Sequence, residues 1–133
     1  MRRRSLLAAP LAATLSAIIP PAAAQAQQPA KFIVFFHPWS AELDPPARDV
    51  VAAAIAHARA NPAQQIDITG FASTVGGARA NLYLSLVRAQ RLADLMAEAG
   101  IAPSRLSRVG EGAVNSVGTA EEARRVEIGF GAP

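Results

Sequence analysis

The chain of 133 residues contains no cysteine, which removes a disulfide framework, a thiolate metal site and a lipid-bearing cysteine behind a signal. It has only two histidines, His37 and His57, far apart and without metal-ligand spacing. Both read as surface or structural residues, and no metal or cofactor is implied. No internal repeat is present, nor the succession of alternating segments of about ten residues that a membrane β-barrel needs, so the chain is not itself a pore. Ser73 has no Gly-x-Ser-x-Gly elbow around it, and Gly70, Gly76 and Gly77 form no phosphate-binding fingerprint. Catalysis is not expected. These glycines read as turn residues between a strand and a helix.

The amino-terminal segment has the layout of an export signal. Arg2, Arg3 and Arg4 form a positive start, Leu6 to Ile19 an apolar stretch, and Ala22 to Ala26 the small residues of a cleavage site. Residues 1–26 are therefore expected to be a signal peptide and 27–31 a short linker. Arg3-Arg4-Ser5-Leu6-Leu7 also fits a twin-arginine signal, so the export route stays open. The apolar stretch, broken by Pro10, Pro20 and Pro21, is too short for a comfortable membrane span. The whole chain has 13 basic against 10 acidic residues, and the signal takes three of the arginines with it. The exported chain is then neutral, and the sequence pI of about 10.6 gives no support for nucleic-acid binding or a polybasic membrane patch.

Residues 32–131 suit one domain. Phe32 to Phe36 is a continuous apolar, β-rich run before His37-Pro38, which reads as a strand covered on both faces or at least centrally placed. Asp44 caps a helix with Pro45 at its first position, Val50, Val51, Ala54, Ile55 and Ala58 in its apolar stripe, and Asn61-Pro62 at its end. Gln65 to Thr69 alternates and stops at Gly70 as a second strand, and a long helix from about Ala78 to Ala99 ends at Gly100. Leu106 to Val109 is a weaker strand and Gly110 to Thr119 a loop. Thr119 with Glu122 frames a single capped turn, and Arg125 to Phe130 alternates as a final strand with Val126, Ile128 and Phe130 on one side. The order βαβαββ, ending in a hairpin-like pair, predicts an α+β two-layer sandwich: one mixed sheet with both helices on one face.

Within the second helix, a spacing of about 100° per residue places Asn81, Ser85 and Arg88 on the apolar stripe with Ala89, Leu92 and Met96. A permanently charged guanidinium on a buried face needs an internal carboxylate or a bound anion. The candidate internal partners are Glu111, Glu122 and Glu127. Trp39 and Tyr83 are candidates to face a glycan, but a lone tryptophan after a proline is more often a turn-packing residue.

The segments Gly70-Phe71-Ala72-Ser73-Thr74-Val75-Gly76, Asn81, Leu84-Ser85-Leu86-Val87-Arg88-Ala89, Gly100-Ile101, Arg105-Leu106, Gly110-Glu111-Gly112 and Arg124-Arg125-Val126 occur in one order. Together with Phe32 to Leu43 they resemble the OmpA-like, or OmpA/MotB C-terminal, peptidoglycan-binding family over nearly all of Phe32 to Phe130. The resemblance implies a non-enzymatic cell-envelope module that holds the diaminopimelate residue of a peptidoglycan stem peptide. It also implies that Arg88 clamps a ligand carboxylate, that Asn81 bridges the binding loop to the helix, and that backbone N–H groups near Gly76 help hold an anion. Arg124 and Arg125 match the family's arginine pair, although Ala123 stands where the family has Asn. Ser73 stands fifteen residues before Arg88, where the family has Asp. Exchanging a charged bond to a ligand ammonium for a neutral one forfeits about 1–2 kcal/mol, so weakened binding is expected. Asp67 lies too far along the strand to replace it.

Two readings follow. In the first, the domain binds peptidoglycan through Arg88, Ser73, Asn81, Gly76 and Arg124. In the second, it is a degenerate scaffold for envelope or outer-membrane proteins, with Arg88 paired internally. An open groove lined by Ser73, Asn81 and Arg88 favours the first, and a carboxylate in salt-bridge reach of Arg88 the second. Either way the location expected is the periplasm, peripheral to the outer membrane or wall, with no nucleic-acid partner and no membrane span once the signal is removed.

Overall fold

The computed structural model describes residues 30–114 and 119–131. The signal segment, most of the linker and part of the 110–119 loop lie outside them. In chain order the elements are β1 (Ala30–Phe35), α1 (Pro45–Ala60), β2 (Ile66–Ala72), α2 (Ala78–Glu98), a 3-10 turn (Pro103–Arg105), β3 (Leu106–Ala113), the single turn α3 (Ala120–Ala123) and β4 (Arg125–Phe130). The four strands form one mixed sheet in the order β1-β4-β2-β3. The core lies between one sheet face, carrying Val34, Ile66, Ile68, Val126, Ile128 and Phe130, and the apolar stripes of α1 and α2. This is the expected α+β sandwich.

Local chemistry sets the helix ends. The Asp44 carboxylate accepts from the Ala47 N–H at 2.9 Å, and Pro45 starts α1 where no N–H is needed. After α2, Gly100 takes φ +95, and the Ile101 N–H closes back to the Met96 carbonyl at 3.0 Å. The glycine lets the chain reverse and bury Ile101. Thr119 occupies the cap position of α3, where its side chain makes no cap bond, and its carbonyl accepts from the Glu122 N–H at 3.1 Å.

Three strand assignments differ from the sequence reading. β1 is an edge strand and not a central one: only Val34 is fully buried, and Ile33 and Phe35 lie on the open sheet face beside Glu127 and Arg125 of β4. Its unbroken apolar run conceals an ordinary alternation, because both faces carry apolar side chains. β2 continues through Gly70 to Ala72, with a register irregularity against β3 between those residues. The glycine marks close approach to a helix, since a Cβ there would collide with the Ser85 carbonyl oxygen of α2. Finally, β3 and β4 do not pair. β3 runs to Ala113 and pairs parallel with β2 across the α2 crossover, while β4 inserts antiparallel between β1 and β2. The fully buried Val126 and Ile128 of β4 explain its central place, whereas β3 is mostly exposed.

Candidate functional site

Asn81, Ser85 and Arg88 are buried as the helical spacing requires, at 1%, 0% and 0% exposure. Each is satisfied by a bond that joins α2 to another segment. The Ser85 hydroxyl donates to the Leu82 carbonyl at 2.7 Å and accepts from the Gly112 N–H of β3 at 2.9 Å. The Asn81 amide donates to the carbonyls of Val75 at 2.8 Å and Gly77 at 3.1 Å, tying the β2–α2 loop to the helix.

Arg88 draws together three stretches of backbone. Its Nε donates to the Ser40 carbonyl at 2.8 Å, one terminal nitrogen to the His37 carbonyl at 3.0 Å and the other to the Phe71 carbonyl at 3.2 Å. The guanidinium also lies 5.3 Å from the centre of the Phe36 ring. No carboxylate pairs with it among the described residues. The expected partners Glu111, Glu122 and Glu127 are therefore excluded as its counter-ion. Glu127 sits on the opposite sheet face with Lys31 at 3.4 Å and Arg125 at 3.2 Å. The internal partners of Arg88 are carbonyl dipoles. They satisfy its hydrogen bonds without cancelling its charge. Burial, and after it the nearby Arg124 cation, push the Arg88 pKa down from the ordinary guanidinium range to about 10, which still leaves it charged at neutral pH.

Beside these groups lies a cavity of about 140 Å³ lined by Pro38, Trp39, Ser73, Val75, Asn81, Leu84, Arg88, Ala120 and Arg124. Four of the five residues expected at a binding site thus line one space: Ser73, Asn81, Arg88 and Arg124. Gly76, the fifth, is not in the lining. Its backbone, at φ +90, packs under Trp39, and a Cβ there would lie 2.8 Å from two ring atoms of that indole. Arg124 is anchored by its Nε to the Phe36 carbonyl at 3.0 Å. The Ser73 hydroxyl accepts from the Val75 N–H at 3.3 Å. The cavity therefore offers two guanidiniums and a hydroxyl, and no carboxylate among its lining. It is suited to a small anionic group.

Of the two aromatics that the sequence offers for a glycan, Trp39 lines the cavity and Tyr83 does not. Trp39 is the one non-glycine among the described residues with positive φ, at 53°, and this conformation carries its ring from the turn onto Gly76 and the cavity. Pro38-Trp39 was the available signal, and it reads equally well as turn packing. The histidines do not meet at the site. His57 lies against Phe130 with ring centroids 4.4 Å apart, and His37 bonds Asp44 at 3.1 Å. Among the described residues no cluster of His, Asp and Glu has the makings of a metal site.

The model of the OmpA family matches residues 35–127. No curated protein matches the chain. Among solved structures, the chain is similar to the peptidoglycan-associated lipoprotein from Burkholderia pseudomallei, with TM-score 0.67 and 19% identity over 74% of this chain and 89% of that one. It is similar to a putative MotB-like protein from Desulfovibrio vulgaris at TM-score 0.65 and 28% identity, covering 77% and 73% of the two chains. It is also similar to the cell wall anchor of the T6SS from Pseudomonas aeruginosa, at TM-score 0.65 and 23% identity over 79% and 82%.

Proposed function

We propose, from the premise that the chain belongs to the OmpA family, that it is a non-catalytic module of the bacterial envelope that binds peptidoglycan non-covalently through the cavity beside Arg88 and Arg124. The observation that carries this reading is a cavity walled by two cations, Asn81 and Ser73 with no carboxylate in its lining. A carboxylate of a diaminopimelate-containing stem peptide fits that chemistry. It would meet Arg124 at the wall and stand in the field of Arg88, whose bonds to neutral carbonyls leave its charge uncompensated. The similar structures include a peptidoglycan-associated lipoprotein and a cell wall anchor, which supports the same reading.

The layout of residues 1–26 supports export to the periplasm, and no helix of the described residues is long and apolar enough to cross a membrane. The scaffold alternative has its own observation: Leu82, Tyr83 and Leu86 of α2 are exposed beside Gly110 along a groove of about 360 Å³.

Co-sedimentation with purified sacculi tests the proposal. The parent protein should pellet with sacculi, and Arg124→Ala should reduce the bound fraction several-fold while the protein remains folded. A parent protein that stays in the supernatant at every sacculus concentration would refute peptidoglycan binding and leave the scaffold reading.

A further inference from the structure

The polar groups at the cavity are unequal in sign. Arg88 and Arg124 are donors only, and both are positive. Ser73 has already committed an acceptor lone pair to the Val75 N–H, and its hydroxyl hydrogen is unused by any bond among the described residues. Asn81 spends its amide hydrogens on Val75 and Gly77. Among the described residues of the lining, what remains for a ligand is two cations, one hydroxyl donor, and neutral acceptors only. A carboxylate is favoured in such a space. An ammonium brought in beside it finds no anionic acceptor and is repelled by two guanidiniums.

We propose that the cavity selects by carboxylate alone and takes stem peptides whose neighbouring side-chain amine is acylated, as in a cross-linked strand, over those whose amine is free. Ser73 is the residue that sets this preference. It stands at the cavity where a carboxylate would instead reward a free ammonium, and its hydroxyl can donate to the ligand anion. This specificity rests on the peptidoglycan reading above and refines it. The desolvation and the Arg124 charge that lower the Arg88 pKa act in the same direction, since both are relieved by an anion and worsened by another cation. A free-amine ligand held in the same pose should bind about tenfold or more weakly, because an unscreened like charge a few ångströms from a guanidinium costs that much even at a protein-surface dielectric.

Two synthetic stem peptides that carry diaminopimelate, identical except that the side-chain amine is free in one and acetylated in the other, separate the possibilities. Trp39 is the single tryptophan and lines the cavity, so its fluorescence reports binding directly. The parent protein should bind the acetylated peptide about tenfold or more tightly than the free-amine peptide, and Ser73→Asp should reverse the order. Equal or tighter binding of the free-amine peptide to the parent overturns the inference, whatever the variant does. Failure of both peptides to bind while sacculi still sediment with the protein also overturns it and leaves the peptidoglycan reading standing. Failure of peptides and sacculi together removes both.

Discussion

Replacing Arg88 by Ala tests whether this side chain braces the fold as the structure requires. Arg88 is fully buried and donates to three carbonyls, those of His37 and Ser40 in the β1–α1 loop and that of Phe71 in β2. Each charge-assisted bond is worth about 1.5–3 kcal/mol, and truncation also strands the carbonyls and leaves a void. Against this loss stands a gain, because the folded state no longer harbours a cation whose pKa burial has lowered. The net cost should be about 3–5 kcal/mol, or roughly 15–30 °C in melting temperature for a domain of this size. Arg88→Lys keeps the charge but not the planar fork, so it should recover only part of the loss. Thermal melts followed by circular dichroism measure all three proteins. An Arg88→Ala protein melting within about 2 °C of the parent would refute the brace.

Three further substitutions probe the packing of the sheet and α2. Gly70→Ala should destabilise by several kcal/mol, roughly, because its Cβ meets the rigid Ser85 backbone of α2; an unchanged denaturation midpoint would mean that β2 and α2 are farther apart than described. Ile128→Asp should unfold the domain, whereas Glu127→Gln should cost less than about 1 kcal/mol because its two ion pairs lie on the open sheet face. The reverse ranking in urea denaturation would place β4 one residue out of register.

Both helices and the alternation of β4 were legible from periodicity and caps, since those signals are local. The position of β1 was not. An apolar run reads as doubly buried, and only the pairing of Ile33 with Glu127 and Phe35 with Arg125 shows that its second face is open. The hairpin expected at the end failed for a related reason: strand adjacency depends on which strand buries more, and β4, with Val126 and Ile128 at 0% exposure, displaces β3 from the centre. At the site, helical spacing put Arg88, Ser85 and Asn81 on the buried side without knowledge of the fold. It gave no hint of what Arg88 would meet, because backbone carbonyls leave no mark in a sequence. Glutamates do leave a mark there, and none of Glu111, Glu122 and Glu127 pairs with Arg88.

The nature of those partners decides what the buried cation can do. A glutamate beside Arg88 would supply hydrogen bonds and an equal opposite charge, and the cavity would have little attraction for a second anion. Carbonyl dipoles supply the hydrogen bonds without the charge, so the guanidinium is held in place by neutral groups and its field persists at the cavity wall. The open sheet face shows the contrast, since Glu127 there meets both Lys31 and Arg125 and their charges largely cancel in contact with water. Three neutral acceptors drawn from the β1–α1 loop and β2 thus join two functions in one residue: they fix the loops that carry Trp39 and Ser73, and they keep a positive charge at the wall between them. Under the proposed function, ligand binding and fold stability are coupled through Arg88 for that reason, and a carboxylate in the cavity would supply the counter-charge that no described residue supplies.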